Sequence, residues 1–238
     1  MHLVLTSRRQ DRLESLADEL HTAHGTKCEI LVRDLADPAQ PKQLLAAIAE
    51  RGISLELLVN NAGFGFVGEI AETDAPTILK MIQVNISALT ELTYGVLPGM
   101  LERGHGAIIN VASVAGFQPV AYMPAYSASK AYVLHFSEAL WAEAREKGVT
   151  VMALCPGTTE TEFFDVAGAP GWLSKRRFQR PSQVVRAALK GLEKRRQYVI
   201  SGWGNYMLSL LVRVANRRTV VRESMKYFRP TKKKIPNA

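Results

Sequence analysis

The 238-residue chain is 47% apolar and 22% charged, enough to bury the core of one domain and too apolar for a disordered or low-complexity chain. Its two cysteines exclude a disulfide framework and a cysteine-rich zinc site; no apolar run reaches the ~20 residues of a spanning helix, and the opening residues lack the charged and apolar segments of a secretory leader. The net charge of +8 is unevenly placed, since residues 1–170 carry 12 Lys/Arg against 20 Asp/Glu and residues 171–238 carry 18 against 2.

Residues 2–6 read as a short strand and residues 9–24 as a helix. A strand over 28–32 and a helix over 38–51 follow, the helix opened by Asp37 as N-cap and Pro38 at its first position. The apolar run 55–59 is too short for a helix and reads as a buried strand; a long helix over 75–103 follows the loop 60–68. Next come a strand over 107–111, a helix over 125–147, a strand over 149–154, a helix over 182–195 and a strand over 198–200. Strands alternating with helices of a dozen or more residues predict an α/β fold: a doubly wound, mostly parallel sheet, helices on both faces, right-handed crossovers. Cys28 and Cys155 lie in strand-like runs, as reduced core residues of a cytoplasmic protein do.

No repeat or linker divides residues 1–202, which read as one domain, and residues 203–238 read as a basic extension. Trp203, Tyr206, Met207, Leu210, Leu211 and Val214 recur at helical spacing, with Arg213, Arg217, Arg218 and Arg222 beside or after them. Such a segment packs on the body or on a second subunit, or lies peripherally in a membrane interface. Its charge is either a solvated face or a site for an anionic partner, such as lipid or an acyl carrier. It carries no recognition motif or stacking-aromatic module, so nucleic acid is not expected as a partner.

The chemistry-bearing residues cluster at strand ends. Tyr126 and Lys130, in Tyr126-Ser127-Ala128-Ser129-Lys130, are four apart, so on a helix they emerge from one face. A phenol with a pKa near ~10 is a poor acid–base group at neutral pH, and an ammonium one turn away is expected to lower it. Ser113 follows the strand 107–111, where open α/β sheets hold ligands, and its hydroxyl can donate to a carbonyl oxygen. Asn60-Asn61-Ala62-Gly63 follows the strand 55–59 as a tight turn that lets a ligand approach the backbone. Asn85 is an amide among apolar neighbours in the long helix and must find partners there.

In order, Asn60-Asn61-Ala62-Gly63, Asn85, Ser113, Tyr126-Ser127-Ala128-Ser129-Lys130 and Pro156-Gly157 closely resemble the motifs of the short-chain dehydrogenases/reductases, over roughly residues 2–200. The resemblance implies a Rossmann-type sheet binding NAD(H) or NADP(H). It implies Tyr126 as general acid/base, Lys130 lowering its pKa and holding the nicotinamide ribose, Ser113 orienting the substrate carbonyl, and Asn85 supporting a proton-relay water. Asn61, Ala62 and Gly63 would line the adenosine side of the cofactor, with Pro156, Gly157 and Thr161 near the nicotinamide and phosphates. Asp34 matches a carboxylate that accepts from the adenine amino group. Members preferring NAD carry an acidic residue at the end of the second family strand, where this chain has Ser7 and Arg8. A hydroxyl and a guanidinium suit a 2′-phosphate, so NADP is expected ahead of NAD.

The resemblance departs at the front. The family opens with a strand, a TGxxxGxG turn and a helix that receive the pyrophosphate, whereas residues 2–6 match its second strand and no such turn occurs in this sequence. The first βα unit is therefore expected to be missing and to lie upstream in a longer natural protein. Gly63-Phe64-Gly65-Phe66-Val67-Gly68 has the spacing G-x-G-x-x-G but opens no helix. The resulting expectation is an NAD(P)-dependent oxidoreductase acting on a carbonyl/alcohol substrate, as a homodimer or homotetramer. The alternative is a catalytically impaired nucleotide-binding or scaffold protein of the same fold. Phe163, Phe164, Val166, Trp172, Leu173 and Phe178, in the segment where the family keeps its substrate lid, favour a lipid-like or acyl substrate.

Overall fold

The computed structural model describes residues 2–169 and 178–229. In chain order its elements are β1 (His2–Leu5), α1 (Gln10–His24), β2 (Lys27–Ile30), α2 (Gln40–Glu50), β3 (Leu57–Asn60), α3 (Ala75–Ile82), α4 (Leu89–Arg103), β4 (Gly106–Val111), α5 (Pro124–Arg145), β5 (Val149–Cys155), α6 (Phe163–Val166), α7 (Pro181–Glu193), β6 (Tyr198–Ile200), α8 (Trp203–Val214) and α9 (Arg217–Phe228). The expected alternation holds, with two local corrections. Asp37 does not cap α2: its carboxylate accepts from Ala39 N at 2.9 Å in a turn before the helix, and Ala39 takes the cap position. The long helix expected over 75–103 contains one widened π-helical turn, Gln83–Ala88, between α3 and α4. Such turns often mark functional positions, and this one carries Asn85.

β3, β4, β5 and β6 form one parallel sheet in that order, and β1 and β2 form a separate parallel pair. No ladder joins β1 to β3. β5 is buried along its whole length, as a central strand covered on both faces must be. Alternate residues serve opposite layers: Ile108 and Val151 pack with Leu97, Met100 and Leu140 of α4 and α5, while Ile109 and Met152 pack with Val184 and Ala188 of α7. The sheet is thus doubly wound. β3 corrects the expectation of a buried strand, because Leu57 is 40% and Val59 49% exposed. Among the described residues β3 has a ladder neighbour on one side only, as an edge strand of its sheet.

A buried polar chain ties the layers together beneath the carboxyl edge of the sheet. Asn60 Nδ2 donates to Asn110 Oδ1 at 2.9 Å and to Thr93 Oγ1 at 3.1 Å; Asn110 Nδ2 donates to Ser137 Oγ at 3.0 Å. All four residues are buried, so each lost partner strands a desolvated group. Asn110→Leu is expected to lower the unfolding free energy by roughly 2–4 kcal/mol in urea titrations. A change below about 0.5 kcal/mol would contradict the role given to this network.

Candidate active site

The site is assembled where β4 ends and α5 begins. Pro124 stands in the first turn of α5, where its fixed φ and missing N–H suit a helix start. Just before it, Tyr122 adopts a left-handed φ of 63°, a strained conformation for a non-glycine residue. Ser113 is extended and opens the 3-10 turn Val114–Phe117; its Oγ accepts from Ala115 N at 3.1 Å, and it lies near enough to the Tyr126 phenol to favour the ionised form. That turn lies against α5 because residue 116 is glycine: a Cβ there would stand 2.7 Å from the carbonyl oxygen of Lys130.

Lys130 Nζ donates to the carbonyl of Val111 at 2.7 Å and lies 5.8 Å from the centroid of the Tyr126 ring. From the other side, Asn85 Nδ2 donates to Phe64 O and to Ser129 Oγ, both at 3.0 Å, while its Oδ1 accepts from Phe64 N at 3.1 Å. A Cβ on residue 63 would come within 3.0 Å of Asn85 Oδ1 and 3.4 Å of Lys130 Nζ, so Gly63 brings its backbone up to both. The structure therefore gathers Asn85, Ser113, Tyr126 and Lys130 in one place. Ser129, which links Asn85 to the helix, went unread in the sequence; its signal was its position, three residues after Tyr126 on a buried face.

Electrostatics correct one expectation. Burial pushes the Tyr126 phenol up to about 12, opposed only by Ser113, rather than down towards neutrality. The same burial pushes Lys130 down to about 8. The Lys130 ammonium is engaged by Val111 O, and the phenol is set by its burial and by Ser113. Tyr126 is thus a protonated donor at neutral pH.

The residues expected at the cofactor all stand at carboxyl ends of parallel strands, the edge where open α/β sheets bind ligands. Ser7 and Arg8 follow β1; Ser7 Oγ accepts from Arg9 N at 3.1 Å, and Arg8 is exposed, with no ion pair among the described residues. Asp34, beyond β2, uses Oδ1 to accept from Ala36 N at 3.0 Å. Asn61, Ala62 and Gly63 form an exposed rim after β3. Beyond β5, Pro156 O accepts from Val114 N at 3.0 Å, and Thr161 Oγ1 accepts from Phe163 N at 3.3 Å. Gly157 has no room for a Cβ against the Asn205 side chain. This donor set fits the nicotinamide and adenosine ends of a dinucleotide. Among the described residues, no glycine-rich turn running from a strand into a helix stands between β1 and β3 to hold a pyrophosphate.

Apolar side chains enclose the Tyr126 ring: Met81, Val120 and Met123 are buried around it, with Phe64, Phe163 and Phe228 completing the cluster. The rings of Phe163 and Tyr126 are 5.2 Å apart. Glu162, beside Phe163, binds Arg9 at 3.1 Å and Arg12 at 2.6 Å, fastening the loop after β5 to α1. Sequence reasoning missed this clamp, because partners some 150 residues apart leave no local pattern. Trp172 and Leu173 of the expected lid lie outside the described residues, whereas Phe163 and Phe164 are at the site.

A family model of the short chain dehydrogenases matches residues 1–169. The very-long-chain 3-oxoacyl-CoA reductase of Anas platyrhynchos is 35% identical over 195 residues, covering 79% of this chain and 60% of that protein. The sulfoacetaldehyde reductase of Chromohalobacter salexigens is 38% identical over 163 residues, covering 68% of this chain and 64% of that protein. The chain thus spans about 60% of the length of the first of these relatives. Among solved structures, a short-chain dehydrogenase from Sphingobium yanoikuyae in complex with NADPH superposes with a TM-score of 0.79 at 31% identity, covering 91% of this chain and 87% of that one.

The burial of Lys130 has a pH signature. Its folded pKa of about 8 lies below the ordinary 10.5, so the unfolded chain binds the extra proton between those values. The cost of burying the charge is complete below pH 8 and fades as the pH climbs to about 10.5. Relative to the parent chain, Lys130→Met is expected to lose about 3 kcal/mol of stability between pH 7 and pH 10.5 in urea titrations. A difference that stays constant over that range would contradict this reading.

Proposed function

The chain belongs to the short-chain dehydrogenase family, and we propose that it is an NADP(H)-dependent oxidoreductase that reduces the carbonyl of a lipid-like substrate. The observation that carries this reading is the convergence of Ser113, a protonated Tyr126 and Lys130 at the carboxyl edge of a parallel sheet. A bound nicotinamide dinucleotide supplies the hydride. Ser113 and Tyr126 hold the substrate oxygen between two hydroxyls, and Tyr126 gives it a proton as negative charge develops. The raised phenol pKa keeps that proton on Tyr126 until the developing alkoxide draws it off. Lys130 stabilises the phenolate left behind, and Asn85, joined to Ser129 and to the Phe64 backbone, fixes the loop that borders the site.

Ser7 and Arg8 at the end of β1 support NADP over NAD through the added 2′-phosphate, and Asp34 serves the adenine. β1 and β3 each pair with one strand only among the described residues, so the pairing order leaves room for a further parallel strand whose glycine-rich turn would receive the pyrophosphate. The absence of such a turn among the described residues favours a second reading, a nucleotide-binding protein without turnover. The aromatic enclosure of Tyr126 supports an acyl or steroid-like ketone over a sugar. Contact with a membrane or an anionic acyl carrier through the basic C-terminal helices suits such a substrate. The exposed rings of Tyr94 and Tyr132 on α4 and α5, packed on the half-buried Phe136, offer a surface for homo-oligomer formation.

Tyr126→Phe is expected to lower kcat/KM for reduction roughly 10²–10⁴-fold while leaving the Kd for NADPH within about threefold. NADPH should bind at least about tenfold more tightly than NADH, worth about 1.4 kcal/mol. Retained turnover in Tyr126→Phe, equal cofactor affinities, or faster reduction of sugars than of long-chain ketones would each contradict the corresponding assignment. Tight NADPH binding without turnover across a carbonyl panel would establish the second reading.

A further inference from the structure

α8 is turned inside out. Its inward face carries Asn205, Ser209 and Val212, with Asn205 Nδ2 donating to Ser201 O at 2.6 Å and Ser209 Oγ to Tyr206 O at 2.7 Å. The opposite face presents Trp203 at 76% exposure, Leu211 at 61% and Val214 at 84%, with Met207 and Leu210 between them. A soluble helix normally buries this stripe, and here it faces out.

α9 follows after two residues and is basic on its outer side. Ser224 is its buried residue and accepts from Ala121 N at 3.0 Å, anchoring the helix to the segment that leads into α5. Arg218 and Arg222 lie on the far side, exposed and with no ion pair among the described residues. Residues 203–229 hold six Lys/Arg and a single acidic residue, Glu223. At the end of α9, Phe228 enters the apolar cluster around Tyr126. The end of α9 therefore borders the site, and α8 packs on the Val114–Phe117 turn beside it.

We propose that α8 and α9 together form a docking face for an anionic lipid bilayer, with the apolar side chains of α8 entering the acyl boundary and the arginines of α9 meeting headgroup phosphates. A 12-residue helix is about 18 Å long, so α8 lies in the interface and does not cross it. Charge decides among the occupants. A second copy packed face to face offers Arg218 and Arg222 no acidic partner, since the single acid of residues 203–229, Glu223, is paired with Lys226. An acidic carrier would engage α9 but leave the apolar face of α8 in water. A bilayer with anionic headgroups satisfies both faces at once. Docked this way, the site takes apolar carbonyl compounds from the lipid phase; that consequence rests on the proposed substrate class, whereas docking itself is read by binding alone.

The test is sedimentation of the chain with phosphatidylcholine vesicles containing or lacking phosphatidylglycerol, with Trp203 emission as a second readout. Binding is expected to be at least tenfold stronger with phosphatidylglycerol and to weaken with salt, with a blue shift that Trp203→Phe removes. Leu211→Asp combined with Val214→Asp should reduce binding at least tenfold while leaving turnover of a short soluble ketone and the far-UV spectrum unchanged. Arg218→Gln combined with Arg222→Gln should remove the preference for anionic vesicles. The proposal is overturned if vesicles do not bind, if neither double variant changes binding, or if Leu211→Asp instead dissociates a concentration-dependent dimer. A saturable complex with an acidic carrier protein in the absence of vesicle binding would overturn it as well. Loss of turnover with intact vesicle binding would instead count against the substrate assignment alone.

Discussion

The site depends on an ammonium group held out of water by a single carbonyl. Lys130 is buried, its Nζ donates to Val111 O at 2.7 Å, and no carboxylate forms an ion pair with it among the described residues. Burying a charge without a counter-ion is unfavourable, which is why its pKa falls to about 8. The surrounding fold holds it there. Gly116 lets the 3-10 turn come close to the Lys130 backbone, Gly63 admits the loop beside its amine, and β4 fixes the accepting carbonyl. A cation placed at such cost beside a phenol suits the proposed chemistry, in which that phenol loses and regains a proton.

The same logic runs through the architecture. A parallel sheet ends its strands on one edge, and the loops leaving β3, β4 and β5 converge there. The buried chain from Asn60 through Asn110 to Ser137 locks that edge, since each amide has one satisfying arrangement. The π-helical turn between α3 and α4 carries Asn85, whose amide bonds the Phe64 backbone and Ser129. β4 and α5 carry both sets of groups, Asn110 and Ser137 in one and the Val111 carbonyl, Ser129 and Lys130 in the other, and apolar side chains enclose Tyr126 beside them.

Much of this was legible in the sequence because it is written in local periods. The helix-period spacing of Tyr126 and Lys130 placed both on one face, and the short apolar runs identified each strand of the main sheet. Long-range effects were not legible. Val59 reads as buried from its neighbours, but its exposure depends on which strand pairs beside it. The clamp of Glu162 on Arg9 and Arg12 joins distant segments. The direction of the Tyr126 shift failed for a similar reason: spacing gives the proximity of Lys130, whereas desolvation depends on everything packed around the ring. In α8 the stripe was visible at helical spacing, but which way it faces is settled by tertiary contacts.

The most direct measurement is titration of the Tyr126 ring itself, by NMR of chain labelled with ¹³C at tyrosine Cζ, its signal assigned by its absence in a phenylalanine variant. In the free protein the Tyr126 resonance should hold its position beyond the midpoint near ~10 of exposed tyrosines and move only towards about 12. A midpoint below pH 8 would show a phenol already poised to ionise, and would contradict the account of a buried, protonated donor.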